Sequence, residues 1–281
     1  MVLLFILVLV GVMVLLKAAL IFCVAPGKMT FEAKKTARIF FGLNCAHRGL
    51  HTENQQVAEN SVSAFAAARK SNYGAEIDVQ LSKDGKVVVF HDDNLKRVCG
   101  VDKRVCSMNW QELSELALFK TGERIALLSE VVEILGEMPV IVEIKSAGAN
   151  NSRLCSETLK IMRSGGINWC MESFDPRICA WFRKNAPDVL RGQLSCRPRD
   201  FEGIPKPYAF LLGNLFCNFM SRPHFVAYRD YSRRPMLVCL CHAMKPMRVV
   251  WTVRPDSDIE RCEKENDAVI FEYYEPKPRY K

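Results

Sequence analysis

Between residues 42 and 271 the chain alternates short β-like runs with amphipathic helical stretches, and this alternation restricts the fold more than any other feature. Strand-like runs fall at 42–47, 75–80, 86–91, 140–145, 170–174, 190–194, 224–227, 248–253 and 268–271. The clearest helical stretches between them are 60–71, 110–118, 128–135, 152–164, 176–184 and 257–264. Strands separated by helices pair in parallel, which predicts an α/β fold, either a closed barrel or an open sheet. No internal repeat or low-complexity tract follows residue 40. Nine strand-like runs are one too many for the eight staves of a barrel, so one of them is misread or lies outside it.

The first 25 residues are of another kind. Residues 2–25 are apolar except for Lys17. As a helix of about 36 Å this run exceeds the roughly 30 Å hydrocarbon core of a bilayer. A cleaved signal peptide wants a basic start and a shorter apolar core, and a lipoprotein signal wants a small residue where Phe22 precedes Cys23. One N-terminal transmembrane helix is therefore expected over residues 1–27, followed by a basic juxtamembrane linker over 28–40 and a large α/β domain over 41–281. Lys28, Lys34, Lys35 and Arg38 flank the far side of the span, against only the α-amino group on the near side. The positive-inside rule then leaves the domain in the cytoplasm. Lys17 must snorkel or find a partner.

The domain's 240–250 residues, estimated at about one to two domain lengths, suffice for one large barrel or two small domains. Its 25% charged and 49% hydrophobic residues argue against long disorder. A net charge of +8 suits a membrane surface, an anionic substrate or nucleic acid. Neither a nucleic-acid motif nor an aromatic-interleaved basic stripe is present, so nucleic acid is set aside as a partner. The twelve cysteines include no C-x-x-C pair. Cys239-Leu240-Cys241-His242 could hold a metal, but its apolar setting reads better as small buried core residues. Scattered cysteines look like reduced thiols and agree with a cytosolic domain.

Residues 75–92, AEIDVQLSKDGKVVVFHD, carry the most chemistry. Asp84-Gly85 between two strand-like runs is a hairpin signal. A two-residue loop there would pair Lys83 with Lys86 and set Asp78 opposite His91. Strand periodicity turns Glu76 and Asp78 to one face and Ile77 and Val79 to the other, with the apolar pair packed outward against helices. Two carboxylates and an imidazole thus converge. In the run 140–145, VIVEIK, Glu143 and Lys145 share a face at the C-terminal end of an apolar strand, where α/β barrels place their chemistry.

Taken together, these residues resemble the glycerophosphodiester phosphodiesterase family. The resemblance begins at Ala46-His47-Arg48-Gly49 and Glu59-Asn60. It continues through Glu76-Ile77-Asp78-Val79, Lys83-Asp84-Gly85, His91-Asp92 and Glu143-Ile144-Lys145, with fainter echoes at Ser173-Phe174-Asp175 and Trp251-Thr252-Val253. It implies a (β/α)₈ TIM-like barrel and a metal-dependent phosphoric diester hydrolase. Glu76, Asp78 and Glu143 would hold one divalent cation, and three carboxylates suit Mg²⁺ or Ca²⁺ alike. His47 and His91 would be general base and general acid. Arg48 and Lys145 would bind the phosphate, with Glu59 and Trp251 as further substrate-binding candidates. Glu59-Asn60 also reads as an ordinary helix start, since Asn60 is a good N-cap. His51, His224 and His242 fit no motif and read as structural.

The family's substrate would be a glycerophosphodiester or a lysophospholipid, cleaved to a glycerol phosphate species and an alcohol by water or by the substrate's own hydroxyl. Three departures stand out. Ala58 replaces a proline usual before Glu59-Asn60. The run 266–276 lacks the usual glycine-rich turn and Thr-Asp or Thr-Asn ending, which leaves the last barrel strand open. The insertion at about 95–124 is short and predicts an open mouth. Basic stretches at 229–234 and 277–281 suit a membrane-derived substrate and equally suit solvated loops. Two alternatives remain. One is a phospholipase D- or phosphatidylinositol phospholipase C-like enzyme on the same barrel. The other is a membrane-tethered binding protein with an inactive site.

Overall fold

The computed structural model describes residues 1–146, 151–231 and 233–278. Eight parallel strands form the barrel: β1 (Leu43–Ala46), β2 (Gly74–Leu81), β5 (Val140–Ile144), β6 (Trp169–Ser173), β7 (Arg191–Ser195), β8 (Phe225–Arg229), β9 (Met247–Val253) and β10 (Ala268–Phe271). They follow one another in that order around the sheet, and β1 pairs with both β2 and β10, which closes the ring. The last strand is therefore the expected 268–271, despite the unfamiliar sequence after it.

The surplus strand-like run is β3 (Val87–Val89), which pairs antiparallel with the last three residues of β2 above the point where β1 leaves it. A two-residue strand not foreseen from sequence, β4 (Ala126–Leu127), extends this hairpin. Outward residues such as Ile77, Val79, Val142 and Met171 pack against a surrounding layer of helices, among them α3 (Val62–Lys70), α6 (Leu128–Leu135), α7 (Asn151–Gly165) and α8 (Pro176–Asn185). The insertion builds a separate small core from Leu95, Val98, Val105, Met108, Leu113 and Leu118 against Val88 and Phe90. Within it α4 (Lys96–Cys99) and α5 (Trp110–Leu113) are single turns, so the expected helix at 110–118 ends early.

One further correction concerns the N-terminal third. The segment expected as a linker folds as α2 (Phe31–Phe40), capped by the Thr30 hydroxyl, which accepts from the Ala33 amide at 3.2 Å. Ala33, Ala37 and Phe40, spaced four and three apart, are buried with Leu43, Met247 and Ala268 at the starts of their strands. The helix thus closes the N-terminal end of the barrel, while its lysines face water and disguise it as a linker.

The first helix, α1 (Val2–Val24), spans 23 residues with a mean hydropathy of 2.9, long and apolar enough to cross a membrane. Residues before Ile21 are exposed, and only its last turn meets the domain, at α10 (Asn218–Ser221) and α11 (Met236–Ala243). There Asn218 donates to the Val24 carbonyl at 3.0 Å and Arg222 to those of Phe22 and Ala25 at 2.8 and 3.0 Å. These bonds satisfy carbonyls that a helix end leaves open. All twelve cysteines are free. Of the pair in α11, Cys241 is buried as expected, whereas Cys239 is exposed.

Candidate active site

The barrel's C-terminal rim gathers a cluster of buried acids. Asp78 on β2 is in register with Glu143 on β5, and Glu143 with Glu172 on β6. Glu76, two residues before Asp78, shares its inward face. Ligating oxygens of Glu76, Asp78 and Glu143 all lie within 4.8 Å of one another. Burial, then the neighbouring carboxylates Asp78, Glu143 and Glu172, pushes Glu76 well above the usual carboxylate range. Glu172 is raised likewise by burial, Glu143 and Asp78. Burial also works against the charge on Asp78, but Lys145, His91 and Arg48 hold it well below its ordinary value. Four buried carboxyl groups face only the two cations Arg48 and Lys145, so ionising all four is unfavourable without a further positive charge. Glu76 Oε1 and Glu172 Oε2 accept no hydrogen bond among the described residues. This donor set fits a hard divalent cation.

His47 directly follows β1, its amide held by the Phe271 carbonyl of β10 at 2.9 Å. Its Nδ1 lies 2.8 Å from Glu272 Oε1 and its Nε2 3.9 Å from Glu76 Oε2. Burial, then the Arg48 charge, lowers it to about 4, so the ring is neutral near pH 7. Nδ1 then carries the proton shared with Glu272, and Nε2 presents a lone pair. Glu272 also accepts from His51 Nε2 at 3.2 Å and from Arg254 Nε at 2.8 Å. Sequence reasoning missed Glu272, Arg254 and the part His51 plays here. For Glu272 the one signal was an acid directly after an apolar strand, akin to Glu143 near the end of its own.

After His47 the chain turns sharply, with positive φ at Arg48 and Gly49. A Cβ on Gly49 would come within 2.8 Å of the Ala64 backbone, so glycine is required there. The turn aims the Arg48 amide at Glu76 Oε2 (2.9 Å) and its guanidinium at Glu59 Oε1 (2.7 Å) and Asp78 Oδ2 (3.5 Å). Asn60 is not a helix cap: Ser61 caps α3 by accepting from the Ala64 amide, and Asn60 donates to Asp78 Oδ2 at 2.8 Å. Glu59 and Asn60 therefore serve the acid cluster rather than the helix.

The hairpin register differs by one residue from the expected one. Val79 faces Val89, the Phe90 amide donates to the Asp78 carbonyl, and Ser82 bonds Lys86 across a three-residue loop. Only Gly85 takes positive φ. Asp84 instead accepts from the Ser82 hydroxyl and the Trp110 amide, which favours the longer turn with a glycine bulge. His91 accordingly lies beyond the strand end, not opposite Asp78, yet it still borders the same cavity. Its Nδ1 is 2.7 Å from Asp92 Oδ1. Arg97 clamps Asp92 at 2.7 and 2.9 Å and Glu59 at 3.0 and 2.6 Å.

Lys145 Nζ lies 2.8 Å from Glu143 Oε1 and 3.0 Å from Asp78 Oδ1. Across the cavity, Trp251 donates to the Ala227 carbonyl at 3.2 Å and packs edge-on against Phe174. The cavity holds about 1140 Å³. Its lining combines His47, His91, Arg48 and the acids with the apolar Phe174, Leu194, Phe201, Leu211 and Trp251. Of the basic stretches, Arg229 reaches the cavity and Arg234 pairs with Glu265. Ser232 and residues 279–281 lie outside the described residues.

Comparison with known proteins agrees with this geometry. A glycerophosphodiester phosphodiesterase of Caldanaerobacter subterraneus is 37% identical over 107 residues, 36% of this chain and 43% of that one. Human lysophospholipase D GDPD1 is 32% identical over 137 residues, 44% of this chain and 42% of that one. The chain thus matches less than half the length of these curated relatives. Among solved structures, an Oleispira antarctica phosphodiesterase in complex with the product sn-glycerol-3-phosphate superposes with a TM-score of 0.68 at 21% identity. That match covers 86% of this chain and 97% of the other. A Thermotoga maritima glycerophosphodiester phosphodiesterase superposes with a TM-score of 0.60 at 26% identity, over 82% and 93%. The sequence profile of the glycerophosphoryl diester phosphodiesterase family matches residues 47–275, from the first candidate histidine to just past Glu272, and the chain belongs to that family.

Proposed function

We propose that this chain is a metal-dependent phosphodiesterase that cleaves glycerophosphodiesters, with or without one acyl chain, to a glycerol phosphate species and an alcohol. The observation that carries the reading is one cavity bordered by His47, His91, Glu76 and Glu143, with Asp78 clustered against the last two. Those three carboxylates would hold one Mg²⁺ or Ca²⁺, which when bound supplies charge to offset that building on the phosphoryl oxygens.

His47 Nε2 takes the proton of the attacking hydroxyl, from water or from the substrate's glycerol, as the new O–P bond forms. Glu272 keeps the Nδ1–H tautomer and steadies the imidazolium that results. His91, oriented by Asp92, gives a proton to the departing alcohol oxygen as its bond to phosphorus breaks. Arg48 and Lys145 offer donors to the non-bridging oxygens. Lys145 then exchanges part of its contact with Glu143 and Asp78 for the phosphate. Glu59 holds Arg48, and Trp251 walls the substrate side of the cavity.

We further propose that α1 is a single-pass anchor, with the domain, α2 included, on the cytoplasmic side. The basic residues Lys28, Lys34, Lys35 and Arg38 beyond it support this orientation. Labelling intact cells with a membrane-impermeant thiol reagent tests it, since exposed Cys239 must stay unlabelled until the cells are opened. The activity is tested with purified protein, glycerophosphocholine and lysophosphatidylcholine, with and without EDTA. Metal-dependent choline release is expected, and its absence from a panel of such substrates would refute the reading. Mass spectrometry of the products separates it from phospholipase C-like cleavage, which breaks the other ester bond.

A further inference from the structure

Beyond Met1 and α1, eight large apolar side chains among the described residues are exposed. Six of them fall between residues 204 and 236: Ile204, Tyr208, Phe210, Leu211, Phe219 and Met236. The first four lie on α9 (Lys206–Gly213) or just before it, and Phe219 is on α10. Helix α9 turns Ala209 and Gly213 inward and keeps apolar residues on its solvent side as well, unlike an ordinary surface helix.

Two contacts give this face its context. At one end the Phe219 ring stacks on Phe22 of α1 at 6.2 Å, with Arg222 over the Phe22 ring at 4.6 Å, so the apolar surface continues into the membrane-length helix. At the other end Ile204, Tyr208 and Leu211 also line the cavity. Exposed apolar residues therefore occur from the α1 contact at Phe219 to the lining of the active-site cavity at Ile204, Tyr208 and Leu211. Lys206 and Arg199, both exposed, flank them with positive charge suited to anionic headgroups.

We propose that this face of α9 and α10 dips into the bilayer that holds α1, and that lipid substrate enters the cavity from the membrane past Ile204, Tyr208 and Leu211. The substrate half rests on the phosphodiester reading; the membrane contact does not. Occupation by lipid, rather than by a second protein, follows from the continuity with α1, which brings a bilayer to this face by covalent attachment.

The test uses the full chain reconstituted in phosphatidylcholine–phosphatidylglycerol vesicles. The native tryptophans 110, 169, 181 and 251 all lie outside α1. Phe210 borders solvent but not the cavity, so Phe210→Trp is a clean reporter. Acyl-brominated lipids should quench its emission well beyond the wild-type background. Phe210→Glu should lower hydrolysis of vesicle-borne lysophosphatidylcholine at least fivefold and leave soluble glycerophosphocholine turnover unchanged. Absence of added quenching, or an equal loss on both substrates, would overturn the proposal, as would a dimer that shields residue 210 from the lipid. If the wild type hydrolyses neither substrate, the phosphodiester reading fails, and the quenching alone still decides the membrane contact.

Discussion

Glu272 Oε1 lies 2.8 Å from His47 Nδ1, a contact between the ends of the last and first barrel strands. Because β10 pairs with β1 in register from Leu43 and Ala268 onward, closure of the barrel itself brings this acid to this histidine. Burial opposes the charge on Glu272, yet His47, His51 and Arg254 together hold it well below the ordinary glutamate value. The carboxylate is therefore ionised near neutral pH, and it fixes which nitrogen of His47 carries the proton.

Glu272→Gln tests that role. A glutamine can present its NH₂ to Nδ1 and so favour the tautomer that protonates Nε2, which disables the base. kcat should fall by about 10² or more with KM little changed, on the scale of general-base contributions. A matching fall for His47→Gln, and no further loss in the double variant, would show the two acting as one unit. Independent, additive losses would refute the assignment.

The acid cluster makes a prediction of opposite sign for stability and activity. Glu76 is raised by burial and by three neighbouring carboxylates, so its charged form is unfavourable in the metal-free protein. Glu76→Gln should raise the metal-free melting temperature by a few degrees, roughly 1 kcal/mol or more, since like charges are separated. The same variant should lose the stabilisation that Mg²⁺ or Ca²⁺ gives the wild type, and its activity with it. Differential scanning fluorimetry across a metal titration reads both effects. A metal-induced shift equal in variant and wild type would place the ion elsewhere.

Arg97 joins the two halves of the site, since one guanidinium holds both Asp92 beside His91 and Glu59 beside Arg48. Lysine keeps the charge but not the planar fork. Arg97→Lys should lower kcat about tenfold through poorer orientation of His91. The melting temperature should change little, because Arg97 is half exposed. A variant with wild-type kcat would reduce Arg97 to a surface ion pair.

Much of this site was legible in the sequence for a physical reason. Strand periodicity alone turns Glu76, Asp78 and Glu143 inward, and those three converge. The hairpin register was not legible. Whether Asp84-Gly85 makes a two- or three-residue loop depends on the Ser82 hydroxyl and on the Trp110 amide, 26 residues away. Glu272 was hidden because its partner His47 is 225 residues distant and meets it only when the barrel closes. Helix α2 was hidden by Lys34, Lys35 and Arg38, whose charge offsets the three residues it buries in a local count of hydrophobicity. Glu172 carried the same signal as Glu143, an acid near the end of an apolar strand, and parity with Cys170 would have turned it inward.

The last prediction concerns acid stability, away from the metal cluster. His224, just before β8, is 1% exposed, and burial followed by the Arg191 charge lowers it to about 3. In the unfolded chain it titrates near 6.5, so between these values the unfolded state binds the extra proton. Its contribution is fully present above about pH 6.5 and is lost progressively as pH falls toward about 3. His242, lowered to about 4 by burial and then Arg234 and Arg248, acts in the same direction. Wild-type melting temperature should therefore drop steeply from pH 7 to pH 4.5. His224→Phe keeps the volume and removes the proton site, so its profile should be flatter by an amount equivalent to a few kcal/mol, at about 1.4 kcal/mol per pH unit. Parallel profiles for the two proteins would mean that His224 already takes up its proton in the folded state.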